Sequence, residues 1–194
     1  EAGCDFEETR SLTFSSRADA VIVQLPLPSE MSTTDVLNSI PISQDADVLS
    51  RAAREKFERG DADALLPPVV GAVRAILELG NVVVKGKKAV VVGAGFLVGV
   101  PVATWLKQQG AQVEVITLES GDLAAALGKA DIIVSGAGSP HLIKREMITL
   151  GCVLIDAGRS VSGGALAGDA KLQSWLASRI TWPQAHGRPL AHEE

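Results

Sequence analysis

Between Lys88 and Gln109 the chain passes from a run of apolar β-formers through a glycine turn into a helix. No other segment limits the possible folds so strongly. Lys88-Ala-Val-Val-Val-Gly93 predicts a strand, and Val98 to Gln109 predicts a helix closed by Gly110. The same grammar continues downstream: a strand over Gln112–Thr117, a short helix over Asp122–Leu127, and strands over Asp131–Ser135 and Cys152–Asp156. Strands alternating with helices imply parallel βαβ units and a sheet covered on both faces. The expected fold class is therefore α/β, with a Rossmann-like parallel sheet over the second part of the chain.

The turn reads Gly93-Ala94-Gly95-Phe96-Leu97-Val98-Gly99-Val100-Pro101. A glycine-rich passage from strand to helix lets backbone N–H groups approach a phosphate at the helix N-terminus. The spacing is one residue longer than the usual dinucleotide fingerprint, and the same glycines also suit simple close packing of strand on helix. Pro101 falls in the first helical turn, where its missing N–H is no loss. The next strand ends at Thr117-Leu118-Glu119, where the adenosine ribose of a dinucleotide would lie. A carboxylate there accepts from a 2′-hydroxyl and repels a 2′-phosphate, so these residues favour NAD over NADP.

The first part of the chain is mixed. Ala18 to Leu25 reads as a buried strand ending in Gln24-Leu25-Pro26-Leu27-Pro28. Ser32 or Thr33 can cap a short helix through Leu37 and Ile40. Asp45 and Asp47 stand two apart, which in an extended segment puts both on one side. Arg51 to Arg59 has helix formers and a thin apolar stripe of Leu49, Ala53 and Phe57. Pro67-Pro68 opens a helix with Val70, Val73, Ile76 and Leu77 on one face, stopped at Gly80.

Composition narrows the function. Of 194 residues, 46% are hydrophobic and 21% charged, which suits a globular protein with a real core. A net charge of −5 argues against nucleic acid or an anionic membrane as a partner. Two cysteines, Cys4 and Cys152, are too few for a disulfide framework, and Cys152 reads as a small buried hydrophobe. His141 and His186 have no partner at metal or triad spacing and read as surface residues. No run reaches membrane-spanning length and no signal-peptide pattern is visible. A cytoplasmic protein is expected, or one of an organelle matrix. The chain begins at Glu1, which leaves a fragment or a processed product open.

In order and spacing these motifs resemble the bifunctional methylenetetrahydrofolate dehydrogenase/methenyltetrahydrofolate cyclohydrolases. The matching segments are Val23-Gln-Leu-Pro-Leu-Pro28, Gln44-Asp-Ala-Asp-Val-Leu49, and Pro67-Pro-Val-Val-Gly71. The turn follows with Gly93, Gly99 and Pro101, then Leu154-Ile-Asp-Ala-Gly158, Gly168-Asp169, Ile180-Thr181 and Pro189. The resemblance implies an incomplete folate-binding lobe over residues 1–68, an NAD(P)-binding domain over 69–181, and a loose tail over 182–194. It implies oxidation of 5,10-methylenetetrahydrofolate with NADP or NAD, and in the family hydrolysis to the 10-formyl product.

The resemblance also assigns roles. Gln24 would lie beside the catalytic lysine. Asp47 would bind the pterin ring, with Asp45, Pro26 and Pro189 also on the substrate side. Gly93, Ala94, Gly95, Val98, Gly99, Thr117, Leu118 and Arg159 would border the cofactor, while Asp156 fixes a loop. Pro26 and Pro28 would stiffen a turn that can hold a cis bond. Family members commonly dimerise through an edge of the Rossmann sheet, so a homodimer is implied.

Departures from the pattern carry their own expectations. The family's Tyr-x-x-x-Lys motif lies upstream of the Gln-Leu-Pro-Leu-Pro strand, and its lysine serves the hydrolytic step. This sequence holds no tyrosine, and the seventeen residues before Ala18 hold no lysine. Ala94 and Gly95 stand where the family has Arg and Ser, and Leu118 stands where a 2′-phosphate would be gripped. The glycine after the family's second Asp is Val48. These changes point to NAD, to a polypeptide without the hydrolytic base, or to a degenerate member that only binds.

Overall fold

The computed structural model describes residues 18–117, 119, 122–162 and 165–170. The chain forms two compact units, Glu1–Gly71 and Ala72–Glu194.

In the first unit, α1 spans Thr33–Asn38 and α2 spans Arg51–Arg59. Ser32 caps α1 by accepting from the Asp35 amide, and Ser50 caps α2 by accepting from Ala53. Each side-chain oxygen satisfies an amide that the first helical turn leaves over. Gly60, left-handed at φ 73°, ends α2. Leu37, Ile40 and Leu49 form a small core on which Val21, Val23 and Leu25 pack.

The expected buried strand over Ala18–Leu25 is not formed. Among the described residues the segment makes one isolated bridge, Val21 to Asp45, and Ile22 is 69% exposed. Alternate residues face the small core and the rest face solvent, so the apolar run Ala20–Val23 covers one side only. The Leu25–Pro26 peptide bond is cis.

Helix α3, Pro68–Leu79, buries Val70, Val73 and Leu77 and leaves Ile76 partly exposed. Gly80 follows it, but the left-handed residue that turns the chain is Asn81, at φ 53°. Asparagine tolerates that region because its short amide bonds locally. The Val82 amide then reaches back to the Leu77 carbonyl.

The second unit is built on a parallel sheet of β1 (Lys88–Val92), β2 (Gln112–Ile116), β3 (Ile132–Ser135) and β4 (Val153–Asp156), in the order β2-β1-β3-β4. Helices α4 (Gly99–Gln108) and α5 (Leu123–Leu127) are the crossovers. Val90, Val92 and Ile133 pack with Ala126 and Leu127 of α5 in one core. Ala89, Val91, Ile132 and Val134 point the other way and are equally buried. A sheet buried on both faces needs continuous apolar strands, and β1 and β3 are such strands. Gly110, at φ 82°, follows the C-cap Gln109. Asp122 caps α5.

Beyond β4 the structure adds a short antiparallel pair that periodicity did not indicate, β5 (Ser160–Ser162) with β6 (Ala165–Ala167). Cys152 is half-buried just before β4, and burial pushes its thiol up to about 11. Among the described residues no helix is long and apolar enough to cross a membrane, and no cluster of potential metal ligands occurs.

Candidate functional site: the carboxyl edge of the sheet and the acidic turn

The register lines up Ile116, Val92, Ser135 and Asp156 across the carboxyl edge of the sheet. Thr117, Gly93, Gly136 and Ala157 come next on their strands. Because β2 lies on one side of β1 and β3 on the other, the crossovers diverge between β1 and β3. In open α/β sheets ligands bind outside the strand ends at such a switch point.

The three glycines of the turn divide by what they do. Gly93 has φ 98°, and a Cβ on it would lie 2.9 Å from the Gly136 carbonyl oxygen. A Cβ on Gly99 would collide with the Gly93 carbonyl, and one on Gly136 would collide with the Val98 side chain. These positions close strand, turn and helix on one another, as the packing reading of the motif expects. Gly95 differs: its backbone is unstrained, and a Cβ there would find only ordinary contact, 3.9 Å from Gly136 O. Ala94, Gly95, Phe96 and Leu97 are exposed. The turn therefore presents bare, open backbone beside the α4 N-terminus, which fits the approach of a pyrophosphate. Val98 is the N-cap of α4 rather than its first residue.

At the adenosine end, Thr117 is half-buried and Glu119 exposed. Leu118 lies outside the described residues. On the other side of the switch point, Arg159 is exposed, and its carbonyl oxygen lies 3.7 Å from the position of a Cβ on Gly138. His141 is exposed, at φ 59°. Cys4, His186 and Pro189 lie outside the described residues.

Two buried or half-buried carboxylates lie near this edge, and one of them, Asp169, had no role in the sequence reading. Asp169 is wholly buried. It accepts from the Ser135 hydroxyl at 2.6 Å, the Ala137 amide at 2.7 Å and the Ser139 amide at 2.8 Å. Asp156 accepts from the amides of Gly158, Asp169 and Ala170 at 3.0, 3.2 and 2.9 Å. Asp156 thus fixes a loop, as expected. The clue to Asp169 was the Gly168-Asp169 pair, read only as a family landmark.

The first unit holds the folate-side candidates. Gln24 is exposed, and its side-chain amide donates to the Leu25 carbonyl at 3.0 Å. Pro26 is exposed. Asp45 and Asp47 do not share a face. A 3₁₀ turn over Ile42–Gln44 breaks the extended parity, and Val48 is left-handed at φ 56°. Asp45 is wholly buried and accepts from the amides of Leu49, at 3.1 Å, and Ser50, at 2.8 Å. Its oxygens are used in holding the turn, which corrects the expectation that Asp45 faces substrate. Asp47 is half-buried and accepts no hydrogen bond among the described residues. Desolvation, and secondarily the charge of Asp45, raises its carboxyl above the usual range. This carboxylate is left available to a donor from outside the turn. The left-handed residue beside it, where the family has glycine, is a β-branched valine.

Comparison with known proteins agrees with this geometry. Residues 67–185 match the family model described as tetrahydrofolate dehydrogenase/cyclohydrolase, NAD(P)-binding domain. The chain is 35% identical over 166 residues to a bifunctional protein FolD of Hydrogenobaculum sp., covering 85% of this chain and 60% of that protein. Among solved structures it resembles the FolD methylenetetrahydrofolate dehydrogenase/cyclohydrolase of Campylobacter jejuni, with TM-score 0.79, 30% identity, and coverage of 85% and 59%. It equally resembles the Trypanosoma brucei FolD complexed with NADP cofactor and inhibitor, with TM-score 0.79, 32% identity, and coverage of 86% and 60%. The chain spans about three-fifths of the length of the curated relatives it matches. With its parallel sheet, glycine turn and Gln-Leu-Pro-Leu-Pro segment, the chain belongs to the tetrahydrofolate dehydrogenase/cyclohydrolase family.

Proposed function

We propose that this chain takes part in the oxidation of 5,10-methylenetetrahydrofolate to the methenyl form, using a nicotinamide dinucleotide bound at the carboxyl edge of the sheet. The observation that carries this is the open backbone at Gly95 at the switch point, in a chain of this family. When bound, the nicotinamide ring supplies hydride acceptance; the chain's residues bind and orient. In this reading Gly93, Ala94, Gly95, Val98 and Gly99 border the pyrophosphate, Thr117 and Leu118 the adenosine, and Arg159 the nicotinamide portion. Gln24, Pro26, Asp47 and Pro189 serve the folate, and Asp47 accepts from the pterin. NAD is preferred, because Ala94 offers no guanidinium for a 2′-phosphate and Glu119 repels one. The unit Glu1–Gly71 acts as the folate lobe and the second unit as the dinucleotide domain. The cytoplasm or an organelle matrix, and a homodimer, are the setting this reading implies.

Hydrolysis of the methenyl product needs a base for water. No lysine precedes Gln24 in these 194 residues, so a polypeptide of these residues alone is expected to oxidise without accelerating hydrolysis. Calorimetric titration with NAD⁺, NADP⁺ and tetrahydrofolate tests the reading, together with an assay of methenyltetrahydrofolate hydrolysis. Binding of one dinucleotide and of folate, with hydrolysis at the spontaneous rate, is the expected result. Dinucleotide without folate would instead mark a degenerate binding module, a reading favoured by Val48 in place of the family glycine beside Asp47. Binding of neither would overturn both.

A further inference from the structure

We infer that Asp169 is a positioning residue for the nicotinamide half of the dinucleotide, acting through the loops that follow β3 and β4. The inference rests on the dinucleotide reading above. With the adenosine placed beyond β2 and the pyrophosphate at the β1 turn, the other half must extend over β3 and β4. The residues there are Gly136-Ala137-Gly138-Ser139 and Ala157-Gly158-Arg159. The amides of Gly136, Ala137, Ser139, Ala157 and Gly158 are already bonded within the protein, so these loops offer a ligand mainly backbone C=O groups. A carboxamide-bearing ring can be read by such groups only if their directions are fixed.

A reciprocal lock fixes them. A Cβ on Gly158 would strike the Asp169 carboxylate, and a Cβ on Gly168 would strike the Asp156 carboxylate. Each glycine thus leaves room for the other segment's acid. Asp169 holds the end of β3 and its loop through Ser135, Ala137 and Ser139. Asp156 holds the loop after β4 through Gly158, and grips the backbone of Asp169 and Ala170. The same segment pairs onward, with the Ile143 amide donating to the Asp169 carbonyl at 2.9 Å. Both loops are therefore tied to one short segment and cannot shift independently. Charge-assisted bonds to a buried carboxylate are the stronger class, which suits a lock. This accounts for two motifs that the site left over, Asp156-x-Gly158 and Gly168-Asp169.

The test uses the whole chain, with NADH (or NADPH, whichever binds) as the fluorescent probe of the nicotinamide environment. ADP-ribose or its 2′-phosphate probes the other half. Asp169→Asn keeps the volume but sets an NH₂ against amide donors. Ser135→Ala removes one donor and spares the carboxylate, and it decides the matter alone if Asp169→Asn does not fold. The expected result is loss of most of the emission enhancement of bound NADH, with ADP-ribose affinity within about twofold of the parent. An unchanged enhancement, or equal weakening of NADH and ADP-ribose, would overturn the inference while leaving the dinucleotide reading intact. A parent chain that binds none of these probes would remove the reading and the inference together.

Discussion

Asp45 accepts the Ser50 amide at 2.8 Å from a position with no solvent exposure, five residues upstream of that helix N-cap. The Leu49 amide meets the other oxygen of the same carboxylate. Asp45→Ala would leave both buried amides without a partner. The expected loss is about 2–4 kcal/mol of unfolding free energy, read by urea titration. A loss within the error of the fit would show that the carboxylate is dispensable to the turn.

Asp47 behaves oppositely. Its folded pKa is raised, first by desolvation and then by Asp45. The folded state therefore holds the extra proton between the unfolded and folded pKa values, and stability falls as pH rises through that window. Above it the penalty of the ionised carboxylate persists. Asp47→Asn should raise stability near neutral pH by less than about 1 kcal/mol. The gain should vanish below the ordinary carboxylate range, while folate affinity drops. Melting curves across pH, paired with folate titration, check both signs.

Gly95 and Gly99 should separate binding from folding. Gly99→Ala drives a methyl into the Gly93 carbonyl, with an expected cost of about 2–3 kcal/mol. Gly95→Ala should leave stability within about 0.5 kcal/mol. It should weaken the preferred dinucleotide about tenfold, the loss of one hydrogen bond's worth of affinity. Equal stability effects at the two positions would contradict the division of roles.

Glu119→Gln removes the charge that, in the proposed binding mode, would face a 2′-phosphate. The ratio of NADP⁺ to NAD⁺ affinity should rise about fivefold to tenfold. Competitive titration of the two cofactors reads it, and an unmoved ratio would place the preference elsewhere.

The βαβ frame was plain in the sequence because β1 and β3 are buried on both faces and read as continuous apolar runs. Capping was equally local: Ser32 and Asp122 bond amides three residues on. The acidic motif was misread because parity assumes an extended chain, and the 3₁₀ turn at Ile42–Gln44 is followed by a left-handed Val48 that no propensity favours. Nothing local shows that Asp45 turns inward; the amides that bind it belong to the next helix start. The same holds for Asp169, whose donors Ser135, Ala137 and Ser139 lie thirty or more residues upstream. Glycines required by packing and the one left open, Gly95, look identical in sequence.

The central place of β1 has a kinetic consequence. Its backbone is bonded to β2 on one side and β3 on the other, so its amides are shielded by neighbours that must first depart. Amide protons of such a strand exchange with solvent only through the largest openings of the unit, while strands at an edge release theirs in smaller ones. The glycine turn is therefore anchored to one of the two inner strands, the segments expected to open last. Local breathing elsewhere in the sheet can proceed without dismantling the place where the dinucleotide's phosphates would rest.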